Sequence, residues 1–277
     1  MPKRLESNKR RLGILMMLPP GSQPSYSYVR STVMRWFSSG SDNIELVLIP
    51  ATLTSPAEIA AFFDSIHGLF LHPDWVEHPV YTRLVRTLLT MATAANKAGD
   101  YFPVWGTCLG FQKMMQFAGG FDDLERFDSR QLEKARSKIH IREEELAKSR
   151  IGHAGTTAQL NHLRKIYVPY FDHGRGISVE RYNSNPALKA SYRVLSTSHD
   201  RAGREYVSMV EGRSLPFYGT QFHPDDDRAM SWLASFFVAE MAKSSHKGFP
   251  IPGLAITSLR KGVCLEEMDY TVGCLRR

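Results

Sequence analysis

The sequence predicts an α/β fold: a three-layer, doubly wound and mostly parallel sheet with helices on both faces. Two observations carry this. Short apolar runs alternate with segments of helical period through the first 120 residues, the pattern of repeated strand–helix–strand units. Those runs are also four to seven residues long and bounded by Pro, Gly or Ser, as buried strands are.

In chain order, Leu12–Leu18 is an apolar run closed by Pro19-Pro20-Gly21, a strand followed by a loop. Ser25–Ser38 sets Tyr28, Val29, Val33, Trp36 and Phe37 at helical spacing before Gly40. Ile44–Ile49 reads as the second strand. Ser55-Pro56-Ala57-Glu58 joins a capping box to a proline at the first helical position, starting a helix to about Ile66. Gly68–Leu71 is the third strand. Val80–Lys97 is a long amphipathic helix with Leu84, Leu88, Met91 and Ala95 facing inward. Phe102–Trp105 is the fourth strand, and it runs through Gly106-Thr107-Cys108 into a helical stretch, Leu109–Phe117.

The pattern breaks at residues 122–165, where ten Lys/Arg and eight Asp/Glu leave few large apolar residues. This stretch reads as an exposed, charge-laced helix or a partly disordered insertion. Surface decoration is favoured over a lid. Ile166–Val168 and Ile177–Val179 form a hairpin candidate. Ser191–Thr197, Tyr206–Val210 and Phe217–Phe222 are late strands, and Arg228–Lys243 is a closing helix. The domain plan is a basic extension (1–10), one domain (11–243) and a tail (244–277) without periodicity.

Composition narrows the function. The 277 residues, 43% hydrophobic, suffice for one full core. Five Lys/Arg against one Glu in residues 1–11, and six against three acids in 243–277, account for the whole net charge of +7. The body is therefore neutral, which argues against nucleic acid as a partner. No apolar run reaches the length of a membrane span. Three cysteines make no disulfide framework, although Cys264 and Cys274 could pair. No Cys/His cluster has zinc spacing and no phosphate or dinucleotide loop occurs, so neither metal nor cofactor is expected.

The chemistry concentrates in Tyr101–Phe111, Y-F-P-V-W-G-T-C-L-G-F. A cysteine between a buried strand and a helix start is a nucleophile-elbow arrangement, here G-x-C-x-G. The unpaired amides and the dipole of the helix N-terminus favour the thiolate there. A cysteine nucleophile needs a base, and the base needs a carboxylate to hold its tautomer. Far downstream, Gln221-Phe222-His223-Pro224-Asp225 ends another strand and supplies both, His223 and Asp225. His199-Asp200 is a competing pair, but its S-H-D-R-A-G context reads as a turn.

G-T-C-L-G-F followed by Q-F-H-P-D resembles the class I glutamine amidotransferase-like hydrolases, whose fold is flavodoxin-like. The phrase G-D-Y-F-P-V-W-G-T-C-L-G-F is similar to the γ-glutamyl hydrolases, or folylpolyglutamate hydrolases, in particular. Leu12–Met16, Ile66–Phe70 and Val207–Gly212 extend the likeness, which covers roughly residues 11–120 and 190–243. The resemblance implies a cysteine hydrolase of γ-glutamyl amides, such as folate poly-γ-glutamates. Cys108 would be nucleophile, His223 base and Asp225 orienter, with the Leu109 amide as an oxyanion donor. Asp74, Gly106 and His173 are further oxyanion or substrate-side candidates.

Two departures stand out. The family's His-Pro-Glu is His223-Pro224-Asp225 here, one methylene shorter, and its Pro-Gly-Gly after the third strand is His72-Pro73-Asp74. Pro73 has no N–H to lend an oxyanion. His72 and His78 read as loop or surface histidines. A glutaminase subunit serving a synthase, and a homologue that binds a γ-glutamyl ligand or a protein without turnover, are the alternatives. The expected partner is a small γ-glutamyl molecule, with a homodimer left open. Many family members carry a signal and reside in lysosomes or vacuoles. No convincing signal peptide or N-x-S/T sequon is read here, so the cytosol is the expectation.

Overall fold

The computed structural model describes residues 9–18, 27–41, 43–72, 77–129, 138–165 and 173–246. The expected Ile166–Val168 strand, most of the N-terminal extension, and the C-terminal tail with Cys264 and Cys274 lie outside these residues. Ten strands and ten helices are described, in the order β1 (Arg10–Leu15), α1 (Ser31–Gly40), β2 (Ile44–Ile49), α2 (Pro56–Asp64), β3 (Gly68–Leu71), α3 (Pro79–Lys97), β4 (Val104–Thr107) and α4 (Leu109–Gly119). Then follow β5 (Glu125–Ser129), β6 (His140–Ile141), α5 (Glu143–Ala147), α6 (Arg150–Ala154), α7 (Thr157–Lys165) and β7 (His173–Gly176). The last are α8 (Val179–Ser184), α9 (Pro186–Ser191), β8 (Tyr192–His199), β9 (Glu205–Gly212), β10 (Phe217–Thr220) and α10 (Ser231–Met241).

The main sheet runs β2-β1-β3-β4-β10-β9-β8-β6. The first five strands are mutually parallel, and the β10–β9, β9–β8 and β8–β6 pairs are antiparallel. Helices cover both faces. Ile59, Phe62 and Phe63 of α2, Leu84 and Leu88 of α3 and Phe111 and Met115 of α4 fill one core. Trp36 and Phe37 of α1 with Leu233, Phe237 and Met241 of α10 fill the other. This is the three-layer, mostly parallel arrangement read from the sequence.

Several elements differ from the expectation. Helix α1 starts at Ser31 because Tyr28 is engaged in a bridge to Met17. The inner face of α3 is Tyr81, Leu84, Val85, Leu88, Leu89 and Ala92, with Met91 and Ala95 only partly buried. Ile177–Val179 is not a strand. The Ser178 hydroxyl accepts from the Arg181 N–H at 2.9 Å and caps α8. The described residues of this stretch, 122–129 and 138–165, are not surface decoration either. Strand β5 pairs with β7, β6 joins the main sheet, and Phe127, Ile139, Leu146, Ile151 and Leu163 are buried in the second core. His199-Asp200 is a turn, as expected: Asp200 Oδ1 accepts from the Arg204 N–H at 2.8 Å, closing the β8–β9 hairpin.

Candidate active site

In an open parallel sheet, ligands sit beyond the carboxyl ends of the strands. Strands β4 and β10 are adjacent and in register there, Thr107 opposite Thr220. The residues that follow them are therefore brought side by side, and the Cys108 N–H donates to the Thr220 carbonyl at 2.8 Å. Cys108 is the single non-glycine residue with positive φ among the described residues, at φ 51 and ψ −109. The chain must reverse sharply from strand to helix at this one residue, so backbone strain is stored at the cysteine.

Glycines make that turn sterically feasible. A Cβ on Gly110 would lie 2.2 Å from the Leu71 carbonyl oxygen, and one on Gly106 would lie 2.7 Å from the Gly110 carbonyl carbon. Helix α4 thus starts pressed against the ends of β3 and β4. Cys108 is its N-cap and makes no side-chain cap, so the amides of Leu109 and the next two residues have no acceptor within the helix. Gly106 itself lies within β4 and acts through close packing.

Cys108 is buried, 5% exposed, and Gln221 Nε2 approaches its sulfur at 3.7 Å. Gln221 is held in turn by Gln112, whose Nε2 donates to Gln221 Oε1 at 3.0 Å and to the Arg175 carbonyl at 2.7 Å. That carbonyl also faces His173 Nδ1 at 2.8 Å. His173, drawn from the stretch between the two matched regions, is therefore linked to the sulfur through the Arg175 carbonyl, Gln112 and Gln221. Burial pushes it down to about 4, so it is neutral at neutral pH.

His223 lies three residues past β10 and is buried. Its Nδ1 is 3.9 Å from Asp225 Oδ1, a proximity but not a hydrogen bond. Arg30 Nη1 is closer, 2.6 Å from the same nitrogen. The guanidinium also lies 3.6 Å from Asp225 Oδ2, and its Nη2 donates to both Asp226 oxygens at 3.1 and 3.2 Å. Thr32 Oγ1 donates to Asp225 Oδ2 at 2.5 Å. Burial, the Arg30 charge and then His72 and His173 hold His223 well below the ordinary histidine range. Burial pushes Asp225 up to about 6 against the pull of Arg30. His223, Asp225 and Asp226 have the spacing of a cation site, and the Arg30 guanidinium already supplies the positive charge there.

His72 is not a surface histidine. It is fully buried, its Nε2 accepts from the Arg30 N–H at 3.0 Å, and its carbonyl accepts from the Tyr81 hydroxyl at 3.0 Å. The loop after β3 thereby braces the segment that carries Arg30. His78 is a half-buried loop residue whose Nδ1 accepts from the Val80 N–H at 3.2 Å, capping α3. Asp74 falls outside the described residues. Sequence reasoning missed Arg30, Thr32, Gln112, Gln221 and Asp226. Gln221 and Asp226 flank the His-Pro-Asp motif, which was a usable signal; Arg30 and Thr32 gave none, since an Arg and a Thr in an apolar segment read as helix surface.

A strained elbow cysteine after β4 and a histidine followed by an acid after β10, on adjacent parallel strands, have the layout of a nucleophile-elbow site. The family model for glutamine amidotransferase class-I matches residues 52–237, and the chain belongs to that family. The curated relatives to which it is similar are γ-glutamyl hydrolases. Gamma-glutamyl hydrolase B of Dictyostelium discoideum is 28% identical over 210 residues, covering 68% of this chain and 59% of that protein. The gamma-glutamyl hydrolase of Mus musculus is 30% identical over 213 residues, covering 69% and 65%. The Rattus norvegicus enzyme is 25% identical over 262 residues, covering 87% and 80%. For the first two, this chain spans less than two thirds of the relative's length. Among solved structures, that of PurLQS from Thermotoga maritima is similar at TM-score 0.49 and 14% identity, covering 84% of this chain and 97% of that one. No helix among the described residues is long and apolar enough to cross a membrane.

Proposed function

We propose that the chain hydrolyses γ-glutamyl amide bonds through a cysteine nucleophile, with folate poly-γ-glutamates as the substrate class. The observation that carries this reading is the strained Cys108 at the start of α4, with Gln221 and His223 delivered by the adjacent strand. The names of the relatives supply the bond type.

In the proposed cycle, Cys108 Sγ attacks the amide carbonyl carbon while His223 takes the thiol proton. The C–N bond then breaks and His223 returns the proton to the leaving amine. Water attacks the thioester, gives a proton to His223 and releases the γ-carboxylate, and the thiol is restored. The Leu109 amide stabilises the oxyanion, a contact of a kind that typically contributes about 3 kcal/mol to lowering a barrier. Asp225 orients the imidazole once its Nδ1 carries a proton. Gln221 lines the thiol side.

A homologue that binds a γ-glutamyl ligand without turnover is the second reading, favoured by the Arg30 contact on the would-be base. Incubation of the purified chain with a pteroyl-poly-γ-glutamate, followed by mass spectrometry, separates the two. Shortened chains that vanish with Cys108→Ala support hydrolysis. A folded wild type that binds the substrate and leaves it intact supports the second reading.

A further inference from the structure

A guanidinium has only donors and stays protonated at any working pH. A ring nitrogen facing it at 2.6 Å is therefore an acceptor, so Nδ1 of His223 bears the lone pair and Nε2 bears the proton. A base for a thiol needs the reverse: a lone pair toward sulfur and an Nδ1–H toward its acid. The acid here, Asp225, stands 3.9 Å off and is held by Thr32.

We propose that Arg30 is a positioning residue that locks His223 as the Nε2–H tautomer and keeps the Cys108–His223 pair from ionising until a substrate carboxylate draws the guanidinium away. The proposal rests on the reading of Cys108 and His223 as nucleophile and base. The charged and titratable groups around the ring are Arg30 ahead of α1, His72 after β3, His173 on β7, and Asp225 and Asp226 of its own turn. His72 accepts at Nε2 and His173 is neutral. Arg30 is thus the fixed cation of the group, and a pivot of the whole guanidinium about its Nη2–Asp226 contact takes Nη1 off the ring.

A carboxylate is the group that competes best for a guanidinium, since it matches the two-pronged donor geometry. A γ-glutamyl amide bears one on its α-carbon. The latch therefore ties activation to the feature that separates γ-glutamyl amides from simple amides.

Nitrogen NMR of the His223 ring, assigned with His223→Gln, reads the tautomer directly. The wild type is expected to show an unprotonated Nδ1, and Arg30→Gln a protonated one. Iodoacetamide labelling of Cys108 at pH 6.5 should be about tenfold faster in Arg30→Gln, the change that one pKa unit gives, and should revert in Arg30→Gln/His223→Gln. In Cys108→Ala protein, a γ-glutamyl amide is expected to protonate Nδ1 and the matching 4-aminobutyryl amide, which lacks the carboxylate, is not. A protonated Nδ1 in the wild type overturns the latch whether or not Arg30→Gln folds, and so does labelling that is unchanged or slower in that variant. No response to the γ-glutamyl amide overturns the carboxylate trigger. Absence of turnover alongside the expected ring and labelling results would sink the hydrolase reading and leave the latch standing.

Discussion

Cys108 holds dihedrals of φ 51 and ψ −109 that side chains with a Cβ rarely adopt. Such strain costs on the order of 1–3 kcal/mol, and glycine relieves it. Cys108→Gly is therefore expected to be at least as stable as Cys108→Ala in urea, the reverse of the usual order; a clearly less stable Gly variant would contradict the strained elbow. The histidines near the strand ends make a second testable point. His173 and His67 are held down to about 4, each mainly by burial, and His223 is depressed as well. Their folded values lie below the unfolded one, so between about 6.5 and 4 the unfolded chain binds more protons and stability is lost as pH falls. Asp225, raised to about 6 by burial, works in the opposite direction, one group against three. Unfolding free energy should be lower at pH 5 than at pH 7, and His173→Gln should shrink the difference. Equal values at both pH settings would show that these rings are not buried neutral.

Among the elements, α4 is packed closely against the end of β3. A methyl on Gly110 would meet the Leu71 carbonyl at 2.2 Å, backbone that cannot step aside, so Gly110→Ala should cost about 2 kcal/mol or more. Denaturant titration checks this, and a neutral substitution would mean the helix can lift from the sheet. The same elements show what the sequence could and could not disclose. β2 and β3 were legible to the residue, because their apolar runs are cut off by Asn43, Pro50 and His67. α1 was read too early because Tyr28 has the spacing of a helix residue but is used in a bridge to Met17. α8 was read as a strand from Ile177 and Val179, although the Ser178 cap starts a helix. The cysteine and histidine of the site announced themselves by motif. Arg30 did not, since its importance comes from a contact 193 positions away.

At the scale of the whole molecule, the described residues of the stretch 122–165 belong to the domain's architecture. Its apolar residues are too sparse to show a period, yet Leu146 and Ile151 are 1% and 0% exposed. Its strand β5 pairs with β7, which carries His173 into the site. Leu146→Ala and Ile151→Ala should each destabilise the whole fold by about 2–5 kcal/mol in a single cooperative transition. A small loss, or a separate early transition, would indicate a decoration after all. The parallel half of the sheet supplies the cysteine and the antiparallel half backs the histidine strand, so the proposed chemistry depends on the two halves holding register at β4 and β10. The most direct test is rapid-quench peptide mass spectrometry of the wild type turning over a γ-glutamyl amide. A γ-glutamyl thioester on the peptide containing Cys108, absent from Cys108→Ala, is the expected result. Hydrolysis that persists in Cys108→Ala, or an adduct on any other residue, would contradict the cysteine mechanism.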